Sequence, residues 1–310
     1  MKKKIKLVVG AVLALFIILA LAMGIFIGSA TFNGLTNLIS REDTIKNISL
    51  YKDKYDEFAK DKDIEEIKIK SSKDEHDIPA IFVNNPKSKG TCVMVHGLGG
   101  SKYSLYRQGQ IFYDLGFSLL IYDQRNSGDN EAKYNTFGIL ESFDTLDVIN
   151  FAKAKENARK LILYGESYGG STSLIACGRD DSDIDYLILD CPVADSNEIA
   201  DENFLKIEKD KKIPVDFMKF CGNIFLKMKL GFTLKDIDAT KWAKEVDCPT
   251  LIINSKADKI TPVHMGEDIY KSIKSDKKEI YTGENFAHTK FSEEDPKGFR
   301  KVVGDFLGKY

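Results

Sequence analysis

The chain has 310 residues, of which 30% are charged and 43% hydrophobic, values typical of a folded domain with a sizeable core. The 45 basic residues are balanced by 47 acidic ones, and the net charge of −2 argues against nucleic acid as a partner. The five cysteines are odd in number and none forms a CxxC pair, so they predict neither a disulfide framework nor a metal site.

The N-terminal segment is basic and then strongly apolar. Lysines at positions 2, 3, 4 and 6 precede a stretch of 22 residues, Leu7 to Gly28, without a charged side chain. As a helix it would be about 33 Å long, enough to cross a hydrocarbon core of about 30 Å. Residues 1–30 are therefore predicted to anchor the chain in the cell membrane, with the N-terminus cytoplasmic and the remainder extracytoplasmic. The alternative is a cleaved signal peptide and a secreted protein.

Residues 31–63 are polar, with apolar residues such as Leu35 and Ile45 at helical spacing, and they predict stalk or packing helices. From residue 64 to residue 310, short apolar runs alternate with longer amphipathic stretches. Most of the runs lack polar alternation, as expected for strands buried on both faces. The runs are Ile67–Ile69, Ala80–Val83, Thr91–Val95, Ser118–Tyr122, Leu161–Tyr164, Tyr186–Leu189, Thr250–Ile253 and Glu279–Tyr281. This alternation predicts an α/β fold, with a mostly parallel eight-stranded sheet and flanking helices.

One interval, about residues 193–246, breaks this rhythm because it separates two predicted strands by more than fifty residues. Its pattern predicts short helices with a break at Pro214. An insertion of this length at the carboxyl edge of a parallel sheet usually covers a site, so we expect a small helical cap. Its apolar side chains could line an acyl pocket, but more often such residues pack a cap onto its sheet. They are Phe204, Phe217, Met218, Phe220, Phe225, Met228, Phe232 and Trp242.

The sequence Gly165-Glu-Ser167-Tyr-Gly169-Gly170 lies between a predicted strand and a helix rich in small residues. The turn must be sharp, and the glycines leave room for the backbone to bend closely. Such a turn strains the serine and exposes its hydroxyl at a helix N-terminus, where partial positive charge favours a developing anion. Ser167 is therefore the predicted nucleophile. The alternative is a tight strand–helix turn in which the serine has no catalytic role.

A serine hydroxyl needs a base to remove its proton, and the chain contains only four histidines. His288 is best placed, because it follows the last predicted strand in a loop. His76 is expected in a charged, solvated turn, and His264 begins a helix. His96 belongs to a separate glycine-rich motif, which we expect it to hold in place through hydrogen bonds.

Asp258 is the predicted carboxylate partner of this base, which would hold the imidazole tautomer and stabilise the imidazolium. It follows the predicted strand Thr250–Ile253. The chain order Ser167, Asp258, His288 is the order expected with a nucleophile on a strand-to-helix turn. Asp190, at the end of the preceding strand, is the alternative acid.

An anionic intermediate also needs hydrogen-bond donors. The segment His96-Gly97-Leu98-Gly99-Gly100 follows a buried strand, and its glycines let the backbone approach a substrate closely. The backbone N–H groups of Leu98 and Tyr168 are expected to form an oxyanion hole.

Together these motifs resemble the bacterial α/β-hydrolases grouped with serine aminopeptidase-like and BEM46-like enzymes. The likeness extends from about residue 64 to the C-terminus. It includes Asp123-Gln-Arg125-Asn126-Ser-Gly128, which in such proteins braces the loop near the site, and Asn126 stands where a glycine is common. The resemblance implies an α/β-hydrolase fold and acyl transfer without a metal or organic cofactor.

The function expected from this resemblance is a serine hydrolase that cleaves a carboxylic ester or a related small acyl substrate through an acyl-enzyme. A membrane-anchored serine peptidase or aminopeptidase is the alternative, in which Glu198, Asp201 or Glu202 could bind a substrate amine. A tethered binding protein that has lost activity is a second alternative. A broken triad would be its sign, and the sequence carries an intact one.

Overall fold

The computed structural model describes residues 2–155 and 159–310. By its internal contacts the chain divides into two compact units. The smaller unit combines the chain up to Leu38 with Asn197–Asp236, and the larger combines Ile39–Ser196 with Ile237–Tyr310.

Eight strands form one sheet in the larger unit. In chain order they are β1 (Asp63–Lys70), β2 (Asp77–Asn84), β3 (Gly90–Val95), β4 (Ser118–Tyr122), β5 (Lys160–Glu166), β6 (Tyr186–Asp190), β7 (Thr250–Ser255) and β8 (Lys278–Gly283). Their order across the sheet is β1-β2-β4-β3-β5-β6-β7-β8. In this order, all neighbouring strands from β4 through β3 and on to β8 pair in parallel, whereas β2 is antiparallel to both of its neighbours, β1 and β4.

Helices connect and cover these strands. They are α1 (Lys2–Thr36), α2 (Arg41–Ile48), α3 (Lys52–Ala59), α4 (Tyr106–Asp114), α5 (Glu141–Lys155), α6 (Tyr168–Arg179), α7 (Ser196–Lys211), α8 (Val215–Leu230), α9 (Thr240–Ala243), α10 (Val263–Ser272), α11 (Phe291–Glu294) and α12 (Pro296–Lys309).

Each of the eight apolar runs identified in the sequence lies within one of the observed strands, and the predicted fold class is confirmed. The expectation of burial on both faces holds for the central strands, since every residue of β3, β4, β6 and β7 is buried. It is wrong for β1, which is mostly exposed, and for most of β8, which is only partly buried. These two strands lie at the edges of the sheet, where fewer layers cover them.

Two helices of residues 31–63, α2 and α3, pack in the larger unit. Tyr55 and Phe58 of α3 join its hydrophobic core. The hydroxyl of Thr44 in α2 accepts a hydrogen bond of 2.9 Å from the N–H of Gly128.

The smaller unit is built on α1, which continues through residue 30 to Thr36. Among the described helices α1 alone is long and apolar enough to cross a membrane, with a mean hydropathy of 2.9 in its apolar window. Its apolar side chains, such as Leu13, Phe16 and Leu21, are exposed. Helices α7 and α8 complete this unit, and α8 packs against α1.

The sheet topology determines where reactive side chains can meet. Because β3, β5, β6, β7 and β8 are parallel, their carboxyl ends lie at one edge of the sheet. Ser167 follows β5, Asp258 follows β7 and His288 follows β8. Ligands bind outside the carboxyl ends of strands in sheets of this kind, so this edge is where a site is expected.

Candidate active site

Ser167 lies on a sharp turn between β5 and α6. Its backbone has φ 53° and ψ −120°, a conformation that is uncommon and strained for a residue with a side chain. Two neighbouring glycines make the turn possible. A β-carbon at Gly165 would lie 2.3 Å from the carbonyl oxygen of Gly169, and one at Gly169 would lie 2.2 Å from that of Val95. The local sequence thus enforces the turn expected for an exposed nucleophile.

Three of the side chains singled out in the sequence form one hydrogen-bonded chain. The Nε2 atom of His288 lies 2.8 Å from the Oγ atom of Ser167. The Nδ1 atom of the same ring lies 2.7 Å from the Oδ2 atom of Asp258. Because an ionised carboxylate only accepts, Nδ1 carries the proton and Nε2 is left to accept the serine proton.

The surroundings of Asp258 keep it ionised. Burial would raise its pKa, but this effect is outweighed by hydrogen bonds from His288 and from the backbone N–H groups of Thr261 and Ile260, which bring the pKa to about 2. The hydroxyl of Thr261 also donates to Oδ2, at 2.8 Å. Sequence reasoning missed Thr261. Its signal was the spacing of three residues after an aspartate, at which a turn lets the carboxylate accept from the backbone.

Asp190, the alternative acid, is buried at the end of β6 and does not receive the His288 proton, which goes to Asp258. One carboxylate oxygen of Asp190 accepts a hydrogen bond of 2.9 Å from the hydroxyl of Tyr164. Its backbone carbonyl accepts the N–H of Ser167 at 2.8 Å, so Asp190 supports the nucleophile turn.

Glu166 and Asp190 are paired across β5 and β6, which places two carboxyl groups beside the nucleophile. Burial, together with the charge of Asp190, raises the pKa of Glu166 to about 8. Burial likewise raises the pKa of Asp190 to about 6. Two neighbouring carboxyl groups oppose each other's ionisation, and Glu166 therefore holds its proton to a higher pH than an ordinary glutamate.

The loop after β3 passes beside Ser167. A β-carbon at Gly97 would lie 3.4 Å from the Ser167 Cβ atom. Leu98 is the next residue of the loop that makes this approach. Tyr168 is the first residue of α6, and N–H groups in a first helical turn have no acceptor within the helix. Both expected oxyanion donors thus belong to segments that flank Ser167.

His96 anchors this loop and is 1% exposed. The Gln124 N–H donates to its Nε2 atom at 3.1 Å, so Nδ1 carries the proton and donates to the Gly97 carbonyl oxygen at 2.8 Å. Burial lowers the pKa of His96, in keeping with a neutral ring.

His264 is exposed on α10. The expectation of a solvated His76 is wrong, since its side chain is 15% exposed and its Nε2 atom lies 3.2 Å from an Asp144 oxygen.

A buried network braces the segment after β4. Arg125 donates two hydrogen bonds to Asp144, at 2.9 and 3.0 Å. Asp123 accepts the backbone N–H of Lys102 at 2.6 Å and so fixes the end of the glycine-rich loop. Asn126 has φ 54°, in the left-handed region where glycine and asparagine are tolerated best, which explains why either residue fits there.

Two groups of side chains among the described residues have metal-ligand atoms within 4.8 Å of one another. One comprises Cys191, Asp258 and His288, but in this group the Nδ1 proton of His288 is already donated to the Asp258 carboxylate. The other comprises Cys177, Asp181 and Cys248, whose two sulfurs are 3.4 Å apart. The Asp181 carboxylate of that group accepts the backbone N–H groups of Asp247 and Cys248.

Comparison with known proteins gives a consistent result. A model of the alpha/beta hydrolase fold family matches residues 91–212. The uncharacterized protein YqkD of Bacillus subtilis is 30% identical over 234 residues, which cover 75% of each chain. The uncharacterized protein YfhR of Escherichia coli K12 is 25% identical over 222 residues, 70% of this chain and 69% of that protein.

Solved structures share the fold at low sequence identity. The Pyrococcus furiosus esterase Pf2001 superposes with a TM-score of 0.65 at 18% identity, covering 81% of this chain and 94% of that one. Est1E of Butyrivibrio proteoclasticus, solved with ferulic acid bound, has a TM-score of 0.60 at 17% identity and covers 78% of this chain and 98% of its own.

Proposed function

The chain belongs to the α/β-hydrolase superfamily, and we propose that it is a serine hydrolase that cleaves a carboxylic ester through an acyl-enzyme on Ser167. One observation carries the proposal, namely the hydrogen-bonded chain from Ser167 through His288 to Asp258. A serine hydroxyl placed against a base whose other nitrogen is held by a carboxylate is the arrangement that nucleophilic acyl transfer requires.

In the proposed reaction, the Ser167 Oγ atom attacks the carbonyl carbon while its proton passes to Nε2 of His288. Asp258 stabilises the imidazolium that forms, and the N–H groups of Leu98 and Tyr168 stabilise the oxyanion. The intermediate then collapses, the carbon–oxygen bond to the alcohol breaks, and His288 returns the proton to the leaving oxygen. A water molecule, deprotonated by His288, releases the acid and regenerates Ser167.

An ester is favoured over a peptide for two reasons. The solved structures of similar fold include esterases from Pyrococcus furiosus and Thermogutta terrifontis. The peptidase alternative needs an acidic group for the substrate amine, and one of its three candidates, Asp201, already forms an ion pair with Lys219 in the smaller unit.

We also propose the organisation that the N-terminal segment indicates. Residues 1–30 would anchor the chain by a single pass, with the lysines in the cytoplasm and the hydrolase outside. Residues 31–63 would link the anchor to a hydrolase domain at residues 64–310, with the cap inserted at about residues 193–246. The length and apolar surface of α1 support the anchor.

The proposed reaction is tested with p-nitrophenyl esters, from acetate to palmitate, and with a phosphonate that labels activated serines. We expect Ser167→Ala to abolish both turnover and labelling, whereas the matched control Ser182→Ala, an exposed serine, retains both. The chain-length optimum separates esterase from lipase. A folded wild-type protein that neither turns over an ester nor takes the label would contradict the proposal, and labelling without ester turnover would favour the peptidase.

A further inference from the structure

Helix α8 carries an apolar stripe on its surface. Phe217, Phe220, Ile224 and Met228 follow one another at intervals of three or four residues and so share one helical face. They are 37%, 63%, 44% and 74% exposed, respectively. The expectation that apolar cap residues line a pocket or pack the cap is therefore wrong for Phe217, Phe220 and Met228. Contiguous exposed apolar surface of this kind marks an interaction site.

The same helix packs closely on α1. A β-carbon at Gly28 would lie 2.7 Å from the ring of Phe225, and one at Gly222 would lie 2.5 Å from Cγ2 of Thr31. Glycines at these two positions let the helix backbones approach, as in packed membrane helices. The stripe is thus carried by a helix held directly against the segment that would cross the membrane.

The position of this contact along α1 sets the depth of the stripe. A β-carbon at Gly24 would lie 4.0 Å from the Sγ atom of Cys221, the residue next to Phe220. The strongly apolar run ends at Gly28, four residues later, which corresponds to about 6 Å along a helix, and polar side chains follow from Ser29 onward. Phe225 contacts Gly28 and Lys229 contacts Phe32, so successive turns of α8 follow successive turns of α1 and the part of the stripe around Phe220 lies level with the last turns of the apolar run.

We propose that the apolar stripe of α8 docks into the lipid surface of the membrane that α1 crosses. The inference rests on the proposed anchor and extends it from one helix to two. A lipid surface fits better than a protein partner, because the exposed apolar surface of α1 and the stripe belong to one compact unit. Lys227 and Lys229 flank Met228 at the end of the stripe, and the Lys229 ammonium lies 4.6 Å from the centroid of the Phe32 ring, beyond the end of the apolar run, where basic side chains favour the head-group region.

The test uses the full chain reconstituted in phosphatidylcholine vesicles that contain brominated lipids, which quench nearby indoles. The chain has one tryptophan, Trp242, and the unaltered protein therefore supplies the baseline. Phe220→Trp reports on the stripe, and Ile18→Trp, in the middle of the segment Leu7–Gly28, reports on the anchor. We expect the added emission of Phe220→Trp to be lost most with lipids brominated near the head-group end of the acyl chain. That of Ile18→Trp should be lost most with bromine near the methyl end.

Each alternative gives a different result. Quenching of Ile18→Trp without quenching of Phe220→Trp would overturn the docking and leave the anchor intact. An absence of quenching in both would overturn the anchor and the inference together, whereas ester turnover, measured separately, would still test the proposed reaction. Emission of Phe220→Trp that escapes the bromines but shifts to the blue with rising protein concentration would identify a second copy as the occupant and overturn the lipid proposal.

Discussion

The residue that carries the proposed chemistry owes its position to its own backbone. Ser167 adopts a positive φ because Gly165 and Gly169 bring β5, α6 and the end of β3 closer than side chains would permit. Its partners depend on longer-range contacts. His288 is separated from Ser167 by 121 residues and from Asp258 by 30, and only the shared edge of the sheet brings the three together.

The two candidate acids can be separated by matched substitutions. We expect Asp258→Asn to lower kcat by about 10⁴-fold, because the amide no longer holds the histidine tautomer that leaves Nε2 free to accept. Asp190→Asn should lower kcat far less, since Asp190 is hydrogen-bonded to Tyr164 and not to His288. Steady-state kinetics on a p-nitrophenyl ester, with circular dichroism to confirm folding, give the comparison. A larger kcat loss in Asp190→Asn would assign the acid to β6.

The raised pKa of Glu166 predicts how the free energy of unfolding depends on pH. Its pKa is raised to about 8 in the folded protein from an ordinary value of 4.5, so the folded state retains a proton that the unfolded state releases. The free energy of unfolding should therefore fall as pH rises from about 4.5 to about 8, and change no further through this group above that range.

We expect Glu166→Gln to flatten this dependence, raising the Tm at pH 8 relative to wild type while leaving it nearly unchanged at pH 4. Thermal unfolding between pH 4 and pH 9 measures the effect, with the exposed Glu294→Gln as the control. Parallel Tm curves for wild type and Glu166→Gln would show that Glu166 ionises as readily in the folded protein as in the unfolded chain.

At the scale of elements, the strands and helices follow their local sequence patterns closely, because alternating apolar runs and amphipathic stretches specify a layered α/β fold. The packing of α1 on α8 is different in kind. It joins segments about two hundred residues apart through small residues, Gly24, Gly28 and Gly222, that the hydropathy pattern does not single out.

A cross-link tests this packing. A β-carbon at Gly24 would lie 4.0 Å from the Sγ atom of Cys221, within reach of a disulfide after a small adjustment. We expect mild oxidation of Gly24→Cys to join positions 24 and 221, as detected by mass spectrometry of unreduced peptides. Gly10→Cys, which has no neighbour within 4 Å, should not form this link. Equal cross-linking in the two variants would mean that α8 does not occupy the described position against α1.

At the scale of the whole molecule, the distribution of charge predicts orientation. Four lysines precede the uncharged segment, and such residues stay in the cytoplasm. A reporter enzyme that folds only outside the cytoplasm should therefore be active when fused after Tyr310. Replacing the four lysines with glutamine should reduce that activity, whereas replacing four exposed lysines near the C-terminus, Lys277, Lys297, Lys301 and Lys309, should not. An inactive reporter at Tyr310 would place the hydrolase in the cytoplasm.

The sequence by itself determined the features that depend on local chemistry. These are the eight strands, the apolar character of α1, and the strand–turn–helix at Ser167, since each follows from residue patterns within a short window. The family resemblance came from the same motifs. His96 was also separable from His288 in this way, because its glycine-rich surroundings are adjacent in the chain.

Only the tertiary structure decided the features that depend on which segments meet. It selected Asp258 over Asp190 as the partner of His288, added Thr261, and placed the partly buried His76 beside Asp144. It also placed Phe220 and Met228 on the surface of α8, although their apolar character suggested the interior. Hydropathy indicates whether a side chain favours burial. Which face of α8 is covered depends instead on its packing against α1, a contact between segments distant in the chain.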